Sequence, residues 1–339
     1  MKKNKKICAF IVSAVLLTSS AVNTSYAKES KPQMVALGGQ SFGVRFYNDG
    51  VIVTELEEFK SGSGCVCPSK DGGLKVNDIL KAANGKRIGS NEDLQKIARE
   101  SGGEPITFTV ERNGQTLSKT VTPRQNAAGS YLLGAWVKDS CAGIGTVTYS
   151  DSDHHYFAAL GHGICDNQTA VLLPLGSAEV TGAKISSVTK STVGKPGSLN
   201  GYFTDQTLGS LSKNTPVGVF GRLKNEDTGK VKKLPMAQND EVRVGKATIY
   251  TTLEQDNIRG YSAEITKICN KDKNNNENFV IKITDKTLLE KCGGIVQGMS
   301  GSPVVQNGKL AGAVTHVFMN DPKEGYGVMV QNMASKFFE

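Results

Sequence analysis

From Tyr131 onward, short apolar runs alternate with turns, and nothing with the period of a long helix interrupts them. Gly145 to Tyr149, Tyr156 to Leu160, Ala170 to Leu173, Val180 to Val188, Val217 to Phe220, Phe279 to Thr284 and Leu310 to Phe318 are such runs. Strands at this density must pair edge to edge, so a barrel or sandwich is expected, and about two hundred residues suit a pair of small barrels. The 38 glycines and the low aromatic content of 6% fit a turn-rich β protein and not a helical bundle.

The 339 residues leave room for a second domain, and residues 34–122 read as one. Gly38 to Phe46 is a glycine-rich loop leading into an alternating strand, and Val51-Ile52-Val53 is another strand. Asn84-Gly85 marks a tight turn, and Asn113-Gly114 joins Ile106–Glu111 to Gln115–Val121 as a hairpin. Ser90 or Asn91 can cap a helix in which Leu94, Ile97 and Ala98 repeat at helical spacing. These features resemble the PDZ modules of bacterial exported proteases. The resemblance implies that Phe42-Gly43-Val44 forms the carboxylate-binding loop and that the module takes up an extended peptide as an added strand. Pro123 to Ser130 reads as a linker, with the larger β domain spanning residues 131–339.

The N-terminus has a different character. Lys2, Lys3, Lys5 and Lys6 precede an apolar run from Ile7 to Leu17, then the small-x-small pattern Ser25-Tyr26-Ala27. Residues 1–27 therefore read as a secretory signal peptide or, uncleaved, as a membrane anchor. Without those four lysines a formal net charge of +8 falls to +4, too mild and scattered for a nucleic-acid partner. Export permits disulfides among Cys65, Cys67, Cys141, Cys165, Cys269 and Cys292, although free thiols fit equally well. Cys65-x-Cys67 has no metal-ligating partner nearby, so no metal is expected.

Chemistry concentrates in two segments. Gly298-Met299-Ser300-Gly301-Ser302-Pro303 frames a serine with glycines, which let a substrate carbonyl approach main-chain N–H groups. Gly161-His162-Gly163 frames a histidine in the same way and precedes the serine, the order of trypsin-like peptidases. Ser300 is the expected nucleophile, His162 its base, and the Gly298 and Ser300 amides the oxyanion hole. Ser302, directly before Pro303, is the weaker alternative. His154 and His155 lie in a polar turn, and His316, in an apolar strand, reads as a pocket wall. For the carboxylate that would orient the imidazole, Asp285 ends an apolar strand, while Asp205 has a spacing from His162 closer to that of trypsin-like enzymes. Such chemistry requires no cofactor.

Leu133 to Ser140, Gly143 to Thr146, Ala159 to Ile164, Ile283 to Asp285, Gly293 to Pro303 and Asn307 to Phe318 together resemble the stage IV sporulation protein B family, sporulation serine peptidases with a PDZ domain. The resemblance implies a mainly β chain, a PDZ domain followed by a trypsin-like double β-barrel peptidase domain. It implies His162, Asp285 and Ser300 as the triad. It further implies export across the forespore membrane into the intermembrane space, self-cleavage, and cleavage of a membrane-anchored regulatory protein that activates late sigma-factor processing. Met299 departs from trypsin-like enzymes, which carry there an Asp that pairs with a freed N-terminus, so activation by that ion pair is not expected. The alternative is a non-catalytic PDZ adaptor that keeps the peptidase fold.

Overall fold

The computed structural model describes residues 33–62, 64–151, 156–166, 170–224, 232–269 and 275–338. The expected signal or anchor lies outside them, as do His154 and His155. The chain enters through β1 (Met34–Leu37) and β2 (Ser41–Leu56). In the first half of β2, buried Phe42, Val44 and Phe46 alternate with exposed Arg45 and Tyr47, the period-2 pattern of a strand with one face on a core. Phe42 meets Phe157 edge to face, ring centroids 6.1 Å apart, and each ring is 1% exposed. Burying such a ring contributes about 1.5–3 kcal/mol.

The second half of β2 belongs to a different core. It leads to the hairpin β3 (Phe59–Ser61) and β4 (Gly64–Val66), then α1 (Pro68–Asp71), β5 (Ile79–Ala83) and β6 (Lys86–Arg87). Next come α2 (Asn91–Glu100), β7 (Ile106–Arg112) and β8 (Gln115–Val121), giving the strand order β2-β5-β7-β8. Ser90 caps α2: its side chain accepts from the Asp93 N–H while the Asp93 carboxylate accepts from the Ser90 N–H. Leu94 and Ala98, one turn apart, then bury against Val51, Val53, Leu80, Phe108 and Val110. Asp78, wholly buried, is held by Arg112 through Nε at 2.6 Å and Nη2 at 2.7 Å and by the Lys75 N–H at 2.8 Å. This is the PDZ unit. Both predicted Asn-Gly turns stand at its β5–β6 and β7–β8 connections with positive φ at each residue.

The expected boundary at residue 34 is displaced. After the short pair β9 (Arg124–Gln125) and β10 (Tyr131–Leu132) come β11 (Ala135–Ser150), β12 (Tyr156–Ala159), β13 (Leu175–Thr189), β14 (Ser198–Thr215) and β15 (Gly218–Leu223). The antiparallel pairings β2–β13, β13–β14, β14–β15, β15–β12, β12–β11 and β11–β2 return to their start and close a six-stranded ring. Met34 to Asn48 therefore serves the first peptidase barrel. Phe42, Gly43 and Val44, expected to form a carboxylate-binding loop, pair with Gly145, Ile144 and Gly143 on one side and with Gly182, Thr181 and Val180 on the other. A strand flanked on both edges has no main-chain donors to offer a peptide.

Past β16 (Lys233–Pro235), which pairs with β1, the second barrel closes through β17 (Gly245–Thr252), β18 (Ile258–Ile268), β19 (Phe279–Ile283), β20 (Pro303–Gln306), β21 (Lys309–Val317) and β22 (Glu324–Met329). The helix between β19 and β20 is α3 (Lys286–Cys292), and α4 (Val330–Phe338) ends the fold. Ile249, Ile265, Phe279, Ile281, Val304 and Val314 fill the barrel. The fold is mainly β, a PDZ unit and a trypsin-like double β-barrel. The six described cysteines outside the N-terminal segment are free thiols.

Candidate active site

The serine loop leaves α3 and enters β20. Gly301 has φ of +92°, and a Cβ there would overlap the Thr146 carbonyl oxygen, so only glycine fits. Met299, fully buried, anchors the loop in the second-barrel core. Ser302 is also fully buried, which removes it as a nucleophile.

The amides of this loop follow a pattern. Gln297 N–H donates to the Gly197 carbonyl, Met299 N–H to Val296, Gly301 N–H to Val314 and Ser302 N–H to Met299. Among the described residues the Gly298 and Ser300 N–H groups have no acceptor. Both peptide planes are fixed from their carbonyl side. The Gln297 oxygen accepts from the Leu199 N–H of β14 at 2.8 Å, and the Met299 oxygen accepts from Ser302 at 2.9 Å. Two free donors two residues apart, on locked planes, suit an oxyanion.

His162 follows β12 through two left-handed residues, Leu160 at φ +67° and Gly161 at +70°. Leu160 pays a steric cost there that glycine would not, a kind of strain found where a chain must aim a functional side chain. A Cβ on Gly161 would lie 2.9 Å from Thr315 Cγ2, so the histidine segment lies directly on β21. Thr315 also meets the candidate nucleophile, because the Ser300 hydroxyl donates to its carbonyl at 2.9 Å. The neighbouring His316 ring lies 5.1 Å from that of His162, tilted by 35°. The structure thus places Ser300 against Thr315 and His162 against the adjacent His316 of β21, with one barrel supplying each.

His162 Nδ1 lies 2.8 Å from the Gly163 carbonyl oxygen. A carbonyl only accepts, so Nδ1 carries the proton and Nε2 keeps its lone pair. Burial pushes the imidazole pKa from 6.5 down to about 4, against the raising effect of the Gly163 carbonyl and with a further lowering from His316. Burial also lowers the pKa of His316. The His162 imidazole is therefore neutral at physiological pH.

Asp285, expected to orient the imidazole, does something else. It is the N-cap of α3, its Oδ1 accepting from the Leu288 N–H at 3.1 Å and its Oδ2 from the Ser262 N–H at 3.2 Å. Among the described residues, no contact joins it to His162. Asp205 is exposed in the middle of β14. Where a carboxylate was expected, His162 Nδ1 meets the Gly163 carbonyl, a partner that no residue type could have signalled. Sequence reasoning also missed the threonines of β11: Thr146 Oγ1 donates to the Gly298 carbonyl and Thr148 Oγ1 to that of Gly301, both at 2.8 Å.

Short stretches match curated metalloproteases. Zinc metalloprotease RasP of Geobacillus kaustophilus is 37% identical over 62 residues, 18% of this chain and 15% of that protein. Metalloprotease MmpA of Caulobacter vibrioides is 37% identical over 57 residues, 17% and 14% of the two chains. This chain spans only 13–16% of the length of the curated relatives it matches. Among solved structures, the PDZ domain of an SdrC-like protein from Listeria monocytogenes aligns with 26% of this chain and 87% of its own, at 15% identity and a TM-score of 0.22. The active form of the Rv3671c protease from M. tuberculosis aligns with 57% of this chain and 72% of its own, at 14% identity and a TM-score of 0.34. The family model described as SpoIVB peptidase S55 matches residues 129–334, from the linker through both the His162 and Ser300 loops to α4. With more than half its length matched by that model, the chain belongs to the SpoIVB peptidase S55 family.

Proposed function

We propose that this serine peptidase works through Ser300 and His162, with Gly298 and Ser300 N–H groups receiving the oxyanion. The observation that carries the reading is that pair of unsatisfied donors within a loop whose other amides are bonded. The Ser300 hydroxyl leaves the Thr315 carbonyl and passes its proton to His162 Nε2 as Oγ attacks the scissile carbonyl. The Gly163 carbonyl holds the imidazolium through Nδ1–H. Nε2 then returns the proton to the leaving amine, and water hydrolyses the acyl-serine by the same route reversed.

The family supports a biological setting as well: export into the space between the forespore membranes, self-cleavage near the N-terminus, and cleavage of a membrane-anchored regulator of late sigma-factor processing. Peptide docking on the PDZ unit falls to the start of β11 rather than to Phe42-Gly43-Val44. Ala135, Trp136, Val137 and Lys138 pair with β2 on one edge only among the described residues. α2 lies alongside, its Asn91 N–H bonded to Asp139. A fluorophosphonate probe tests the chemistry. It is expected to label the full chain at Ser300 and to leave Ser300→Ala untouched, with self-cleavage lost in the same variant. Equal labelling of both proteins removes Ser300 as the nucleophile.

A further inference from the structure

Thr146 and Thr148 stand two residues apart on β11, so both side chains leave the same face of the strand. Both are 0% exposed. Their hydroxyls bracket the nucleophile, Thr146 bonding the Gly298 carbonyl and Thr148 the Gly301 carbonyl. The Thr146 main chain makes two more links. Its N–H donates to the Ser300 carbonyl at 3.0 Å, and its carbonyl accepts from the Leu160 N–H at 3.2 Å, two residues before His162. One residue of the first barrel thus touches the oxyanion loop at both of its donor-bearing residues and also holds the strand end that carries the base. Valine would reproduce the shape at either position but would leave a buried loop carbonyl without its donor.

We propose that Thr146 is a positioning residue for the hydrolytic reaction, its hydroxyl setting the orientation of the serine loop across the barrel interface, and that Thr148 secures the far end of that loop. Neither touches substrate. Thr146 acts through Gly298, whose carbonyl it restrains, and so through the hole amides on either side. The proposal rests on Ser300 being the nucleophile.

The test uses the full chain and saturation kinetics of fluorophosphonate labelling, which separate the maximal labelling rate from the apparent probe affinity. Thr146→Val is expected to lower the maximal rate by about tenfold or more, short of the roughly 10²–10³ lost when a hole donor is removed outright. Its apparent affinity is expected to stay within about twofold, since ground-state binding does not use the oxyanion amides. Thr146→Ser keeps the hydroxyl and is expected to recover the rate to within about threefold. Thr148→Val is expected to lie between Thr146→Val and wild type. A wild-type maximal rate in folded Thr146→Val overturns the proposal. So does a Thr146→Ser protein as slow as Thr146→Val, because the methyl group and not the hydroxyl would then matter. Failure of the underlying reading looks different: wild type and Ser300→Ala would label alike.

Discussion

In the proposed mechanism, the pH at which the enzyme loses its base is set by the surroundings of His162. Burial brings the imidazole down from 6.5 to about 4, and the Gly163 carbonyl only partly opposes it. At pH 5.5 an ordinary histidine is only about one-tenth neutral, whereas His162 is almost entirely neutral, so the difference in available base is about tenfold. The assay is the second-order rate of Ser300 labelling between pH 4 and 8, which reports the ionisation of the free enzyme. The acid limb is expected to have its midpoint near pH 4. His316→Phe is expected to move that midpoint upward, because it keeps a ring and removes the repulsion between two imidazolium ions. A limb centred at 6.5 would refute the reasoning, since it would mean that water reaches the ring freely. Stability carries the same sign. The folded pKa is below the unfolded one, so the contribution is complete above pH 6.5 and is lost as pH falls toward 4. Its ceiling is about 3 kcal/mol, and solvent screening of the half-buried ring lowers it further.

Three further perturbations separate the structural roles. Asp285→Asn keeps an N-cap side chain and is expected to leave both melting temperature and labelling rate nearly unchanged, while Asp285→Ala loses about 1 kcal/mol of stability; a fall of about 10⁴ in the labelling rate of the Asn variant would restore the carboxylate to the reaction. Arg112→Met leaves the fully buried Asp78 with the Lys75 N–H alone and is expected to cost about 3–5 kcal/mol, read by denaturant unfolding; a loss under about 1 kcal/mol would show that water replaces the guanidinium. Gly301→Ala forces a side chain onto the Thr146 carbonyl at a φ of +92° and is expected to abolish labelling and to lower the denaturant unfolding midpoint of the whole chain.

Much of this fold was legible locally. The Asn-Gly turns, the Ser90 cap and the Leu94–Ala98 repeat each act within a few residues, and each stands where its chemistry put it. The glycine frames of His162 and Ser300 were legible for the same reason. What escaped was long-range partnership. β2 reads as a PDZ strand because its glycine-rich entry looks like a binding loop, yet Phe42, Val44 and Phe46 find their core across the ring. β14 hid because Ser198 to Thr215 is largely polar, and its hydrogen bonds to β13 and β15, not its side chains, make it a strand. Ala170 to Leu173 looked like a strand and forms only an isolated bridge at Leu172. Asp285 ended an apolar strand as foreseen, but a carboxylate at a strand end can cap the following helix as readily as it can face an imidazole. Nothing in its neighbours along the chain distinguishes the two.

β2 and β11 each run through two cores, and this decides how the protein can be dissected. A fragment starting at Tyr131 would lack the strand that completes the first ring and would expose the hydrogen-bonding edges of β11 and β13, inviting aggregation. A nick between Asn126 and Ser130 would instead leave two polypeptides stitched along the whole β2–β11 ladder. They would migrate separately in denaturing gels but co-elute under native conditions, so one clipped band would say nothing about whether the peptidase had been inactivated.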